Sequence, residues 1–147
     1  MASAIVRVGA VSDLLAIFKI TESWRGYSRK IYYNDPAIRE RLREDVLAGA
    51  KHLLVAEVDG VIVGFASISE EEGGAFVNLV VVLQSMMRTG VALSLMEELK
   101  ERYARLGAFN DVDPAMKGLY EKLGFTCTDK NPGAFRNWIW SRAGESR

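Results

Sequence analysis

One cysteine and one histidine are all that these 147 residues contain. The lone thiol, Cys127, excludes an intramolecular disulfide and points to a reducing, cytoplasmic setting. Read by itself it is a buried, inert thiol. His52 sits at the head of an apolar strand, so there is no Cys/His cluster for zinc and no spare histidine for a nucleophilic triad. No metal is therefore expected. Long hydrophobic runs are also missing: none approaches the roughly 20 residues that cross a bilayer. The first residues, MASAIVRVGAVSDLL, lack the basic and apolar blocks of a secretory leader. Neither sign of charge dominates, because 19 Lys and Arg offset 19 Asp and Glu. No global field then favours nucleic acid or an anionic membrane, and neither is an expected partner.

What remains is an ordinary globular composition, 49% apolar and 26% charged. It suits one domain over 1–147, with residues 1–3 and 142–147 expected to fray. AIVRVG (4–9) alternates as a first strand. Ser12 and Asp13 can cap a helix with Leu14, Leu15, Ile17 and Phe18 inward. Pro36 opens a second helix, PAIRERLREDVLAGA, with Ile38, Leu42, Val46 and Leu47 inward. LLVAEV and VIVGFASI flank Asp59-Gly60, a strong hairpin signal. AFVNLVVVL follows the turn EEEGG as a strand apolar enough for a central position.

A helix opening near Gly90 then carries Val91, Ala92, Leu95, Met96, Leu99 and Tyr103 inward, with Gly107 expected as its stop. AFNDV is a short strand. Asp113 and Pro114 start DPAMKGLYEKLGF, a helix ending at Gly124, and FTCTD with FRNWIWSR closes the chain as a hairpin. The order β-α-α-β-β-β-α-β-α-β-β makes an α/β (α+β) fold: a mixed, mostly antiparallel central sheet flanked by helices.

Two stretches carry chemistry. VVVLQSMMRTGVALSLMEEL is a strand, a tight turn and a helix start. A helix N-terminus leaves N–H groups unpaired and attracts anions. Gly90 and Ala92 leave room for close approach, Arg88 adds a cation and Thr89 a hydroxyl. Read without context, the same residues also make an ordinary turn. In LYEKLGF, Tyr120 lies beside the inward stripe of Ala115, Leu119 and Leu123. There its phenol can enter a cleft or simply pack.

LYEKLGF lies about thirty residues after that turn and follows the hairpin LLVAEVDGVIVGFASI. Together they resemble the GCN5-related N-acetyltransferase (GNAT) family over roughly residues 4 to 140. The resemblance implies transfer of an acetyl group from acetyl-CoA, or of another acyl group from its CoA ester, to an amine of a small molecule or protein. Its other outcome is a degenerate GNAT-like binding or assembly module. It places Val82 against the pantetheine arm and Met87, Arg88, Thr89, Gly90, Val91 and Ala92 around the pyrophosphate. Asp113 falls where the family carries asparagine before the last helix, and Tyr120 where it carries the acid that protonates the departing thiolate.

Besides Asp113, the loop and the strand before it depart from the family pattern, with Gln84 where the family usually has proline. Met87 stands in place of Arg or Gln at the first position of the loop motif. Arg88 follows one place later, about 100° further round if helical. On the preceding strand, where the family often has a glutamate, Phe76 and Asn78 stand instead. Asn78 is assigned to orient water or the acceptor, with Glu22 or Glu72 as alternative sources of a base. Trp24 and Tyr27, with Tyr32 and Tyr33 nearby, are expected either to line an amine pocket or to pack the joint between the first two helices. A homodimer is a further expectation.

Overall fold

The computed structural model describes residues 4–23, 36–48, 53–111, 114–128 and 135–142. The element order read from the sequence holds throughout. The strands are β1 (Ile5–Val8), β2 (Leu53–Val58), β3 (Val61–Glu71), β4 (Gly74–Val82), β5 (Arg105–Asp111), β6 (Thr126–Cys127) and β7 (Phe135–Ser141). The helices are α1 (Leu14–Glu22), α2 (Pro36–Ala48), α3 (Val91–Arg102) and α4 (Pro114–Lys122). The strands form one sheet in the order β1-β2-β3-β4-β5-β7-β6. Its β4–β5 ladder is parallel, whereas β1–β2, β2–β3, β5–β7 and β6–β7 are antiparallel.

The chain divides into two compact units. The first comprises residues 1–68 and 79–95. Its core is built from Ile17 and Ile20 of α1, Leu42 and Val46 of α2, and Leu53, Val55, Phe65 and Val81 of the sheet. Asp59 and Gly60 have φ of 52° and 79°, the left-handed pair that a two-residue hairpin turn needs between β2 and β3. Asp13 does not cap α1 with its side chain. Its carboxylate turns back to accept from the Ala10 N–H at 2.7 Å and from the Arg7 guanidinium at 2.8 and 2.9 Å. That pairing holds Asp13 below its ordinary range against the opposing effect of burial. On α2, Asp45 is buried and accepts the Ser67 hydroxyl at 2.6 Å, tying the helix to β3. Two residues of the expected inward stripes point out: Leu15 is 68% exposed and Leu47 66%.

The second unit comprises residues 69–78 and 96–147. Here Ala75, Phe76 and Val77 pair with Leu106, Gly107 and Ala108, and β5 pairs along its other edge with β7. Gly107 is thus a strand residue, and α3 ends at Arg102, short of the expected stop. The reason lies across the ladder, where a Cβ on Gly107 would stand 3.2 Å from Cδ1 of Phe76. Arg142 takes over the end of α3, donating to the carbonyls of Lys100, Glu101 and Tyr103. Cys127 is half-buried, not fully enclosed. Among the described residues no helix is long and apolar enough to cross a membrane, and no group of three His, Cys, Asp or Glu side chains could hold a metal ion.

Candidate functional site

In the first unit, β4 ends at Val82, which is half-buried, and the chain turns through Gln84–Met86 before α3 begins. Three contacts fix this turn. The Leu83 N–H donates to the Val63 carbonyl at 2.7 Å, and the Met86 N–H to the Leu83 carbonyl at 2.7 Å. The Gln84 N–H donates to Ser23 Oγ at 3.1 Å, while that hydroxyl donates to the Ile20 carbonyl at 2.6 Å. The end of α1 therefore anchors the turn, a role for Ser23 that nothing in the local sequence signals.

The next residues are shaped by backbone geometry. Met87 is extended, and its N–H is already engaged with the Gln84 carbonyl at 3.3 Å. It brings neither a polar side chain nor a spare donor. Arg88 is exposed and left-handed, with φ of 64°. It lies outside α3, so the helical rotation expected for it does not apply. The Thr89 hydroxyl closes back on the Met86 carbonyl. Gly90 has φ of 92°, and its carbonyl receives the Ser94 N–H at 3.0 Å as the first bond of α3.

Val91, Ala92 and Leu93 open the helix, where an N–H has no carbonyl four residues earlier to bond. Among the described residues the N–H groups of Arg88, Thr89 and Gly90 have no acceptor either. A Cβ on Gly90 would meet nothing within 4 Å among the described residues, so the chain is open on that side of Gly90. Gly64 of β3 sets the helix close to the sheet, because a Cβ there would lie 2.8 Å from Cγ1 of Val91. Open donors, a helix dipole and an exposed guanidinium suit a phosphate or pyrophosphate.

In the second unit, Tyr120 is placed differently from its expected position at the edge of the stripe. It is 2% exposed, with ring centroids 5.2 Å from Phe125 and 5.6 Å from Trp138. Gly124, with φ of 88°, ends α4 and lets the Phe125 N–H return to the Tyr120 carbonyl at 2.9 Å. Asn78 is exposed on β4, one residue beyond the last β4–β5 pair at Val77 and Ala108. Its Nδ2 donates to Ser69 Oγ at 2.7 Å. Phe76 is half-buried.

Of the alternative bases, Glu22 is paired with Arg39 at 2.8 Å and Glu72 is exposed. Asp113, Trp24, Tyr27, Tyr32, Tyr33 and His52 lie outside the described residues.

A family model described as acetyltransferase (GNAT) domain matches residues 28–141. Among solved structures, the chain is similar to PaiA N-acetyltransferase from Thermoplasma acidophilum in complex with coenzyme A. The TM-score is 0.79 at 16% identity, covering 95% of this chain and 99% of that one. An N-acetyltransferase from Staphylococcus aureus gives 0.74 at 20% identity, covering 95% and 99%. An acetyltransferase from Thermus thermophilus gives 0.76 at 14% identity, covering 97% and 100%. At these identities the likeness carries the fold alone.

Proposed function

The chain belongs to the GNAT family of acyl-CoA-dependent N-acetyltransferases, and on that premise we propose that it moves an acetyl group from acetyl-CoA directly to a primary amine of a small molecule or protein. The observation that carries this reading is the turn Arg88–Ala92, whose N–H groups have no acceptor among the described residues and which includes an uncrowded Gly90 at the start of α3. Acetyl-CoA, when bound, supplies a thioester acyl group and a thiol leaving group. The turn would hold its pyrophosphate by backbone donors and Arg88, without a side-chain contribution from Met87. The backbone of Val82 would meet the pantetheine arm.

Tyr120 holds a phenolic proton for the departing sulfur. Asn78 orients the amine or a water, and the amine proton leaves to solvent. In the balanced reaction a C–N bond forms as the C–S bond breaks, giving an amide and free CoA thiol. For the acceptor pocket the reading relies on the aromatic character of the segment containing Trp24 and Tyr27. On this reading 1–147 acts as one acyltransferase domain, of which the family match covers 28–141. The single cysteine suits the cytoplasm.

Calorimetric titration with acetyl-CoA tests the reading. Measurable binding is expected, and several-fold tighter binding in Met87→Arg, which restores a guanidinium at the first motif position. No binding by the wild type up to millimolar acetyl-CoA would overturn it.

A further inference from the structure

We infer that Ser69 is a positioning residue for the acceptor amine, acting by holding the Asn78 side chain through its amide. The inference rests on the acyltransferase reading and deepens it. Asn78 Nδ2 donates to Ser69 Oγ at 2.7 Å. An amide that spends its NH2 group on a neighbour turns its carbonyl oxygen the other way. Asn78 is exposed, so that oxygen is available to an incoming group.

The position suits the task. Asn78 stands one residue past the end of the β4–β5 ladder, where β4 ceases to be covered by its parallel neighbour. A carbonyl oxygen accepts an N–H from an amine or an ammonium alike, and it carries no charge that must be neutralised. A carboxylate at the same place would hold the ammonium form more tightly and stabilise its proton. An amide oxygen held in place through the Ser69 contact instead binds the amine without raising the cost of its deprotonation. Without Ser69 the side chain loses the partner that holds it, and the amine must order the amide by itself.

The experiment uses the full chain, with n-butylamine as the acceptor probe at saturating acetyl-CoA and thiol release as the signal. Losing one oriented hydrogen bond is expected to raise the amine KM roughly three- to tenfold in Ser69→Ala and in Asn78→Ala. The KM for acetyl-CoA should not move, and Ser69→Thr, which keeps the hydroxyl, should restore the wild-type value. A second readout needs no turnover: n-butylamine should shift the side-chain amide signals of Asn78 in the 15N-labelled wild type and not in Ser69→Ala.

An amine KM in Ser69→Ala within twofold of wild type, or a matching rise in the acetyl-CoA KM, overturns the positioning role. Acetyl-CoA binding with neither transfer to n-butylamine nor movement of the Asn78 signals overturns it too, while leaving the cofactor reading intact. Absence of acetyl-CoA binding by calorimetry overturns the underlying reading itself.

Discussion

A Cβ on Gly64 of β3 would lie 2.8 Å from Cγ1 of Val91 and 3.3 Å from the Val81 carbonyl oxygen. Real side chains do not approach so closely, so this glycine lets the first turn of α3 rest directly on the sheet. The open N–H groups at Arg88–Ala92 are positioned by that approach. Gly64→Ala should push the start of α3 outward and cost about 1–3 kcal/mol by overpacking. Acetyl-CoA affinity should fall with it. Urea denaturation gives the first quantity and calorimetry the second. Full stability with unchanged affinity would show that the helix start tolerates the shift.

Arg88 allows strain and function to be separated. Its φ of 64° is left-handed, which costs an L-residue roughly 1–2 kcal/mol and glycine nothing. Arg88→Gly is therefore expected to stabilise the fold by about 1 kcal/mol, after allowing for the greater freedom of glycine in the unfolded chain. The same change removes the only cation of the turn, and the acetyl-CoA Kd should rise roughly three- to tenfold. Arg88→Lys keeps the charge and the strain, so it should retain much of the affinity without gaining stability. Equal binding by Arg88→Gly and wild type would leave the backbone donors as the whole site.

These two residues also mark what the sequence makes legible. The element order, the Asp59-Gly60 hairpin and the strand–turn–helix junction at Gly90 are written in local patterns: alternation, turn residues, and a glycine opening a helix. Features set through space are not. Gly107 resembles a helix stop until the Phe76 ring opposite it is known. The left-handed Arg88 follows a turn whose start is held by Ser23, 61 residues earlier than Gln84. Leu15 and Leu47 have helical spacing, but each lies at the margin of its stripe and faces out. Tyr120 falls beside its stripe on paper, while Phe125 and Trp138 close over it in the fold.

Two groups set opposite pH limits. Arg7, with the Ala10 N–H, holds Asp13 below its ordinary value, which lies at about 4. The unfolded chain then binds the proton first, so this contribution is full above about pH 4 and is lost as pH falls through the folded value. Asp13→Asn should flatten the acid limb of the stability profile. Tyr103 is pushed up to about 12, by burial and then by its hydrogen bond to Glu70 at 2.9 Å. Its contribution is full below about pH 10 and fades as pH rises through 12. Tyr103→Phe should flatten that alkaline limb and leave the acid one unchanged. Urea midpoints across both windows check the two signs.

Tyr120 has two separable properties, a ring that packs and a hydroxyl proposed to deliver a proton. The ring lies 5.2 Å from Phe125 and 5.6 Å from Trp138, and the residue is 2% exposed. Phenylalanine preserves those contacts, so Tyr120→Phe should change stability by about 1 kcal/mol or less. Removal of the ring in Tyr120→Ala should cost about 3–5 kcal/mol. If the phenol is the general acid, Tyr120→Phe lowers kcat by roughly 10²–10⁴-fold. Its acetyl-CoA Kd should stay at the wild-type value, because the proton is needed only as the C–S bond breaks. Single-turnover measurements of thiol release locate the loss in the chemical step. Wild-type kcat in Tyr120→Phe would reduce this residue to packing and require another donor for the departing sulfur.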